Sequence, residues 1–193
     1  MIIGITGGTG CGKTTLLKEI QARGGLILDC DAVYHDLLTR DDALLNAIDD
    51  RFPGVVVDQK LERKKLGAIV FADEQALQDL NAITHGAIRE EIVRRLAETP
   101  GLAAIDAIAL FEGGLAALCD TTVAVCAPHA DRVERLMQRD GISREYAENR
   151  IKAQKDEQWF CQMCSHTLRN DGTQAQFRDK CSAFLAEILG DRP

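Results

Sequence analysis

No apolar stretch of this 193-residue chain approaches the roughly 20 residues that a bilayer-spanning helix needs. The opening Met1-Ile2-Ile3-Gly4-Ile5 has neither the basic flank nor the small-residue cleavage region of a secretory signal. The expectation is a protein of the cytoplasm with no membrane partner. Positive charge is also scarce. Lys and Arg number 23 against 30 Asp and Glu, a formal net charge of −7. Such a chain lacks the broad attraction on which non-specific nucleic-acid binding rests. No nucleic acid is therefore expected as a partner, and an anionic substrate needs positive groups gathered locally. Internal repeats and low-complexity tracts are missing too. The seven cysteines are odd in number and lie mostly in apolar segments, which is no disulfide framework. In a reducing compartment they stay thiols.

What is present suffices for one cooperative core, with 46% hydrophobic residues. Residues 2–6 form a short apolar run ending at Gly7-Gly8, and a helical segment follows Gly12 with Leu16, Leu17 and Ile20 on one side. A second run, Leu26-Ile27-Leu28, ends at Asp29. Strand, glycine loop, helix and strand in that order open a parallel α/β sheet. From about residue 35 to 100 the pattern is an insertion of helices, with Leu77, Leu80, Ile83, Ile88, Ile92 and Leu96 mostly three or four apart. Further strands are expected over Ala103–Leu110 and Thr121–Ala127, and a short one over His166–Arg169. Residues 129–154 read as polar, arginine-rich helix. Thr173 and Gln176 form a capping-box signature before a last helix with the stripe Phe177, Cys181, Phe184 and Ile188.

The strongest chemical signal is Gly7-Gly8-Thr9-Gly10-Cys11-Gly12-Lys13-Thr14, a full GxxxxGK[ST] pattern between a strand and a helix. Glycines there let the backbone amides converge on phosphate oxygens, and the helix adds its unpaired N-terminal amides. Lys13 would reach the β- and γ-phosphates of ATP, and the Thr14 hydroxyl would bind Mg2+. Thr15 stands beside the site, and Cys11 is read as a small loop residue. No Asn-Lys-x-Asp segment closes a later strand, which weighs against guanine recognition.

Asp29 and Asp31 follow the second strand. Either orients an acceptor hydroxyl, with Asp31 preferred as base, or caps the next helix. Glu112 ends the expected third strand and is read as an acceptor- or magnesium-side group or a surface cap. Asp106, inside that apolar run, marks a strand edge or pairs with a buried basic group. Arg132, Arg135, Arg139, Arg144 and Arg150 cluster in one helical region, where they either cover phosphates or form a solvated face. Arg63 suits an acceptor phosphate, and His85 either binds substrate or stabilises a helix junction. His35, His129 and His166 have no mutual metal spacing. Cys161-Gln162-Met163-Cys164 is a lone C-x-x-C, read as structural in preference to a zinc or redox site.

Taken together, these segments resemble the dephospho-coenzyme A kinase family from Ile3 to about Leu189. Gly4 through Thr14 resembles its opening strand and phosphate loop, with Cys11 and Thr14 at usual serine positions. Leu28-Asp29-Cys30-Asp31 resembles its Asp-Ala-Asp signature, and Leu61-Glu62-Arg63 its Leu-Asp-Arg. His85-Gly86 stands for its His-Pro, and Ile108-Ala109-Leu110-Phe111-Glu112 for its Pro-Leu-Leu-Phe-Glu without the proline. Arg132 through Gly141 and Arg150 through Gln154 resemble its lid, with Arg132 at a usual glutamine. Cys164-Ser165, before Asn170-Asp171-Gly172, replaces its Ala-Asp.

The resemblance implies an α/β P-loop nucleoside triphosphate hydrolase fold with a five-stranded parallel sheet flanked by helices. Residues 1–34, 101–128 and 165–193 would form the nucleotide-binding core, 35–100 the helical coenzyme-binding region and 129–164 the lid. It implies phosphorylation of the ribose 3'-hydroxyl of 3'-dephospho-coenzyme A by ATP with Mg2+, by a monomer. Lys13, Asp31 and Arg139 would be catalytic. Gly8, Thr9, Gly10, Cys11, Gly12, Lys13, Thr14, Thr15, Arg139 and Arg150 would hold the nucleotide, with Thr14 on the metal. Asp31, Arg63, His85, Phe111 and Glu112 would face the acceptor. The rival readings are a kinase of another small metabolite or nucleotide, and a nucleotide-dependent switch.

Overall fold

Short apolar runs buried on both faces are what a parallel sheet covered by helices requires. The computed structural model describes residues 1–190. The last three positions of the expected core segment 165–193 lie outside the described residues. In chain order come β1 (Ile2–Thr6), α1 (Lys13–Ala22), β2 (Leu26–Asp29), α2 (Cys30–Arg40) and α3 (Asp42–Arg51). A hairpin of β3 (Val56–Val57) and β4 (Lys60–Leu61) precedes α4 (Arg63–Val70) and the long α5 (Glu74–Glu98). Then come β5 (Ala103–Asp106), a 3-10 turn (Leu115–Leu118), β6 (Thr121–Cys126), α6 (His129–Asp140) and α7 (Arg144–Lys152). The chain closes with α8 (Glu157–Met163), β7 (His166–Arg169) and α9 (Gln174–Leu189).

The main sheet has the order β2-β5-β1-β6-β7, and every pairing in it is parallel. The chain thus leaves β1 towards one side and later returns to the other. A crevice opens at the carboxyl ends of strands where the order reverses in this way. The register aligns Ile5 with Asp106 and Asp106 with Asp29, so three strand ends finish level. One core face gathers Ile3, Ile5, Leu16, Ile20, Val123, Val125, Phe177 and Leu185. The other joins Leu28 and Ile105 to α2, α3 and α5 through Val33, Leu37, Leu45, Ile48 and Ile92. Each such fully buried side chain contributes about 1.5–3 kcal/mol. Helices α6 and α7 pack on each other through their own small core of Val133, Leu136, Ala147 and Ile151. The expected cap of α9 is complete, with Thr173 Oγ1 accepting from the Gln176 amide at 3.2 Å and Gln176 returning the bond at 2.9 Å.

Two expectations need correction. The strand over Ala103–Leu110 stops at Asp106. Ala107 still donates to the Ile5 carbonyl, but the chain then turns, and Gly113 closes onto the Ala109 carbonyl at 2.8 Å. Ala107 and Leu110 are buried beneath that turn, so the apolar run is strand first and buried turn second, which composition alone does not separate. The helical insertion also contains the β3–β4 hairpin. Its turn residues Asp58 and Gln59 adopt φ values of 49° and 59°, the geometry of a two-residue turn that usually advertises itself with Asn-Gly.

Candidate functional site

The loop after β1 is shaped from both sides. Gly12 caps α1 at φ 95°, and a Cβ there would lie 2.4 Å from Asn170 Nδ2. No side chain caps α1, so its first amides remain available to an anion. Lys13 Nζ donates to the Gly7 carbonyl at 3.0 Å. Three residues from distant elements brace the outside of the loop. Asn170 Nδ2 donates to the Cys11 carbonyl at 2.9 Å, Arg132 Nε to Thr9 O at 2.9 Å and Arg135 to Gly10 O at 3.2 Å. Gly8 has no Cβ because the Arg132 guanidinium occupies that space. The Thr9 amide donates to Gln154 Oε1 at 2.8 Å. Cys11 is buried under the loop, where desolvation raises its thiol pKa.

Inside the loop lies a cavity of about 310 Å³, lined by Thr9, Gly10, Lys13, Thr14, Asp29, Asp31, Asp106, Arg139, Arg150 and Gln154 among others. Cations and carboxylates thus face each other across one polar space. Asp29 is the helix cap: its Oδ1 accepts from the amides of Asp31 at 2.9 Å and Ala32 at 3.2 Å. Asp31, in the first turn of α2, is exposed and is not the cap. Asp31 also lines a second cavity of about 230 Å³ with Cys30, Tyr34, Thr84, His85, Ile88 and the 107–115 turn. It therefore stands at the junction of a polar and a largely apolar space.

A model of the dephospho-CoA kinase family matches residues 1–176. The chain belongs to that family. A dephospho-CoA kinase of Anaeromyxobacter dehalogenans is 37% identical over 99% of this chain and 93% of its own. One from Moorella thermoacetica is 37% identical over 100% and 95%. Among solved structures, the chain is similar to TT1252 from Thermus thermophilus, with TM-score 0.81 and 32% identity over 97% of each chain. It is likewise similar to the dephospho-CoA kinase of Campylobacter jejuni, at TM-score 0.71 and 26% identity over 99% and 98%. A shikimate kinase of Bacteroides thetaiotaomicron, at TM-score 0.57 and 17% identity, shares the fold. Membership of the dephospho-CoA kinase family makes this a kinase that transfers phosphate to an alcohol group, at the last step of coenzyme A formation.

Against that family, the residues singled out in the sequence separate into groups. Lys13, Thr14, Asp31, Arg139 and Arg150 meet in the polar cavity, with Thr9 and Gly10. His85 joins Asp31 in the second cavity, and burial lowers its pKa, with Glu112 opposing. Arg63 lines neither: it is exposed at the start of α4, 3.0 Å from His35 Nδ1. Phe111 packs edge-on to Trp159 at 6.0 Å, and Glu112 lines a third space with Gln154, Lys155 and Phe160. Thr15 faces a cavity between α1 and α9 with Lys18, Gln174 and Arg178. The arginine cluster also divides. Arg132 and Arg135 hold the loop from behind, whereas Arg139 and Arg150 reach Asp140, at 2.7 Å and 2.6 Å. Those bonds, Arg139's first, hold the Asp140 carboxyl at about 2.

Asp106 was undervalued in the sequence. It ends β5 between Asp29 and Ile5, and its Oδ1 is buried without a hydrogen-bond partner. Burial pushes its carboxyl up to about 6, with Lys13 opposing and Asp29 and Asp31 reinforcing the rise. The signal was an acid in an apolar run on the strand beside the phosphate-loop strand. It was obscured by the expectation that the strand continued to Leu110.

Proposed function

We propose that the chain transfers the γ-phosphoryl group of Mg-ATP to the ribose 3'-hydroxyl of dephospho-CoA, releasing CoA and ADP. The observation that carries this reading is Asp31, which borders both the phosphate cavity and the neighbouring apolar one. An acceptor seated in the second cavity would present its hydroxyl to Asp31 and to the phosphate loop together. Asp31 aligns that hydroxyl and accepts its proton, as phosphoryl transfer requires. Loop amides and Lys13 hold the donor phosphates, and Arg139 and Arg150 exchange Asp140 for phosphate oxygens as charge develops. The uncharged form of His85, favoured by burial, offers the acceptor a hydrogen bond in place of a charge.

The donor set fits magnesium. Thr14 offers a hydroxyl in a cavity that Asp29, Asp31 and Asp106 also line, an oxygen-rich set suited to a hard cation, and Asp106 Oδ1 is buried without a partner. When bound, the ion neutralises charge on the β- and γ-phosphate oxygens. The reading takes the protein to act as a monomer. Among the described residues no helix is long and apolar enough to cross a membrane, which is compatible with work in the cytoplasm.

The test is formation of CoA and ADP from Mg-ATP with dephospho-CoA, beside adenosine, AMP and no acceptor. CoA formed with dephospho-CoA alone is the expected result. Equal ADP release without acceptor would replace the kinase with an ATPase or switch, and preference for another acceptor would overturn the substrate.

A further inference from the structure

Away from the nucleotide cavity, three metal-ligating side chains from two elements meet. Cys126 ends β6, and Glu157 and Cys161 are four residues apart on α8. Their ligand atoms all lie within 4.8 Å of one another, and the two Sγ atoms are 3.3 Å apart. Residues four apart on a helix share a face, so α8 presents a carboxylate and a thiol together to the strand thiol. The C-x-x-C spacing plays no part. Cys164 caps the far end of α8 and lies outside the cluster.

We propose that Cys126, Cys161 and Glu157 form a binding site for a thiophilic divalent cation of the zinc type. Two thiolates and a carboxylate are a donor set such a d10 ion accepts, with a fourth position left for water. A cavity of about 600 Å³, bordered by Ala127, His129, Lys155 and Glu157, adjoins the cluster on its Glu157 side. Binding forms two metal–sulfur bonds and releases two thiol protons to solvent, with no change of oxidation state. Burial raises the Cys126 thiol pKa, so in the metal-free protein it carries its proton and the cation must displace it. Arg169 already pairs with Glu157 Oε1, which leaves the second carboxylate oxygen for the metal.

The position gives the site a structural consequence. Residues 127–160, including all of α6 and α7, lie between the two cysteines in the chain. The Cys126 carbonyl accepts from the Asn170 amide at 2.8 Å, and Asn170 in turn braces the phosphate loop. A bound cation therefore staples both roots of the α6–α7 segment beside that brace. The third ligand favours a metal over a simple disulfide, in which a carboxylate has no role.

The test is titration of the whole chain with Cd2+ under a phosphine reductant, followed by thiolate-to-metal charge-transfer absorption, then Zn2+ in competition with a chromophoric chelator. One equivalent of Cd2+ should develop the band of two thiolates, and Zn2+ should displace it. At about a hundredfold excess over the dissociation constant, Tm should rise by roughly 5–11 °C. Cys161→Ser, at a half-buried position, should lose both the band and the Tm rise, and Cys126→Ser likewise. Glu157→Gln should keep the band with weaker binding, and Cys164→Ser should change nothing. If Cys126→Ser fails to fold, the Cys161 and Glu157 variants still decide. No band at one equivalent, or a band that survives Cys161→Ser, overturns the site.

Discussion

At the scale of single residues, two aspartates in one cavity have opposite characters. Asp31 is exposed and Asp106 has a buried, unpartnered oxygen. If Asp31 is the base, Asp31→Asn should lower kcat for CoA formation by roughly 10²–10⁴, with KM for ATP little changed, as steady-state assays would show. Asp106 makes a different prediction. Its carboxyl, pushed up to about 6, keeps its proton in the folded chain where the unfolded chain has released it. Stability should therefore fall as pH rises from about 4 to about 6 and level off above. Asp106→Asn should flatten that slope and stabilise the free protein by about 1–3 kcal/mol at pH 7, while weakening magnesium-dependent activity. Urea unfolding at several pH values measures the first effect, and a magnesium titration of the rate the second. A variant that is both less stable and fully active would remove Asp106 from the site.

At the scale of elements, the phosphate loop and its flanking strand and helix were legible because local sequence dictates them. The capping box at α9 was legible for the same reason. The end of β5 was not, since a buried turn and a buried strand have the same composition. The hairpin was hidden because Asp58-Gln59 is a weak turn signal. Nor could spacing show what fastens α5 to α2. Glu91 is buried and accepts from Arg40 at 2.6 Å, Arg95 at 2.6 Å and Arg94 at 2.8 Å, while Asp36 on α2 pairs with Arg40 and Arg95. Hydrogen bonds from Arg94 lead in holding the Glu91 carboxyl at about 2. This depressed pKa contributes stability that is complete above about 4.5 and is lost as pH falls towards 2. Glu91→Gln should cost about 1–3 kcal/mol at pH 7, since the half-exposed arginines are partly screened by water. The acid limb of the stability profile should become shallower, and chemical denaturation from pH 2.5 to 7 would reveal it.

At the scale of the whole molecule, the order of motifs identified the family, but their convergence belongs to the fold. Arg63, placed with the acceptor by motif, rests on His35 outside both cavities. The arginine-rich segment reads as one charged stripe, yet tertiary contacts divide it between bracing the loop and facing the cavity. Helices α6 and α7 share a small core of their own, while Arg132 and Arg135 tie α6 to the phosphate loop. On the proposed reading, the end of this pair that carries Arg139 and Arg150 closes over bound phosphates and excludes water. In this structure both arginines engage Asp140, and Arg139 is 61% exposed. Two roles can be separated by comparing variants. If the ion pair itself is what matters, Arg139→Met and Asp140→Asn should be equally damaging. If the arginines serve the transferring phosphoryl group, Arg139→Met should lower kcat by roughly 10²–10³. Asp140→Asn should then have little effect on kcat, because it removes only the partner that phosphate replaces. Parallel measurement of kcat and KM for both nucleotide and acceptor distinguishes the cases, and equal losses in the two variants would confine Arg139 to the surface pair.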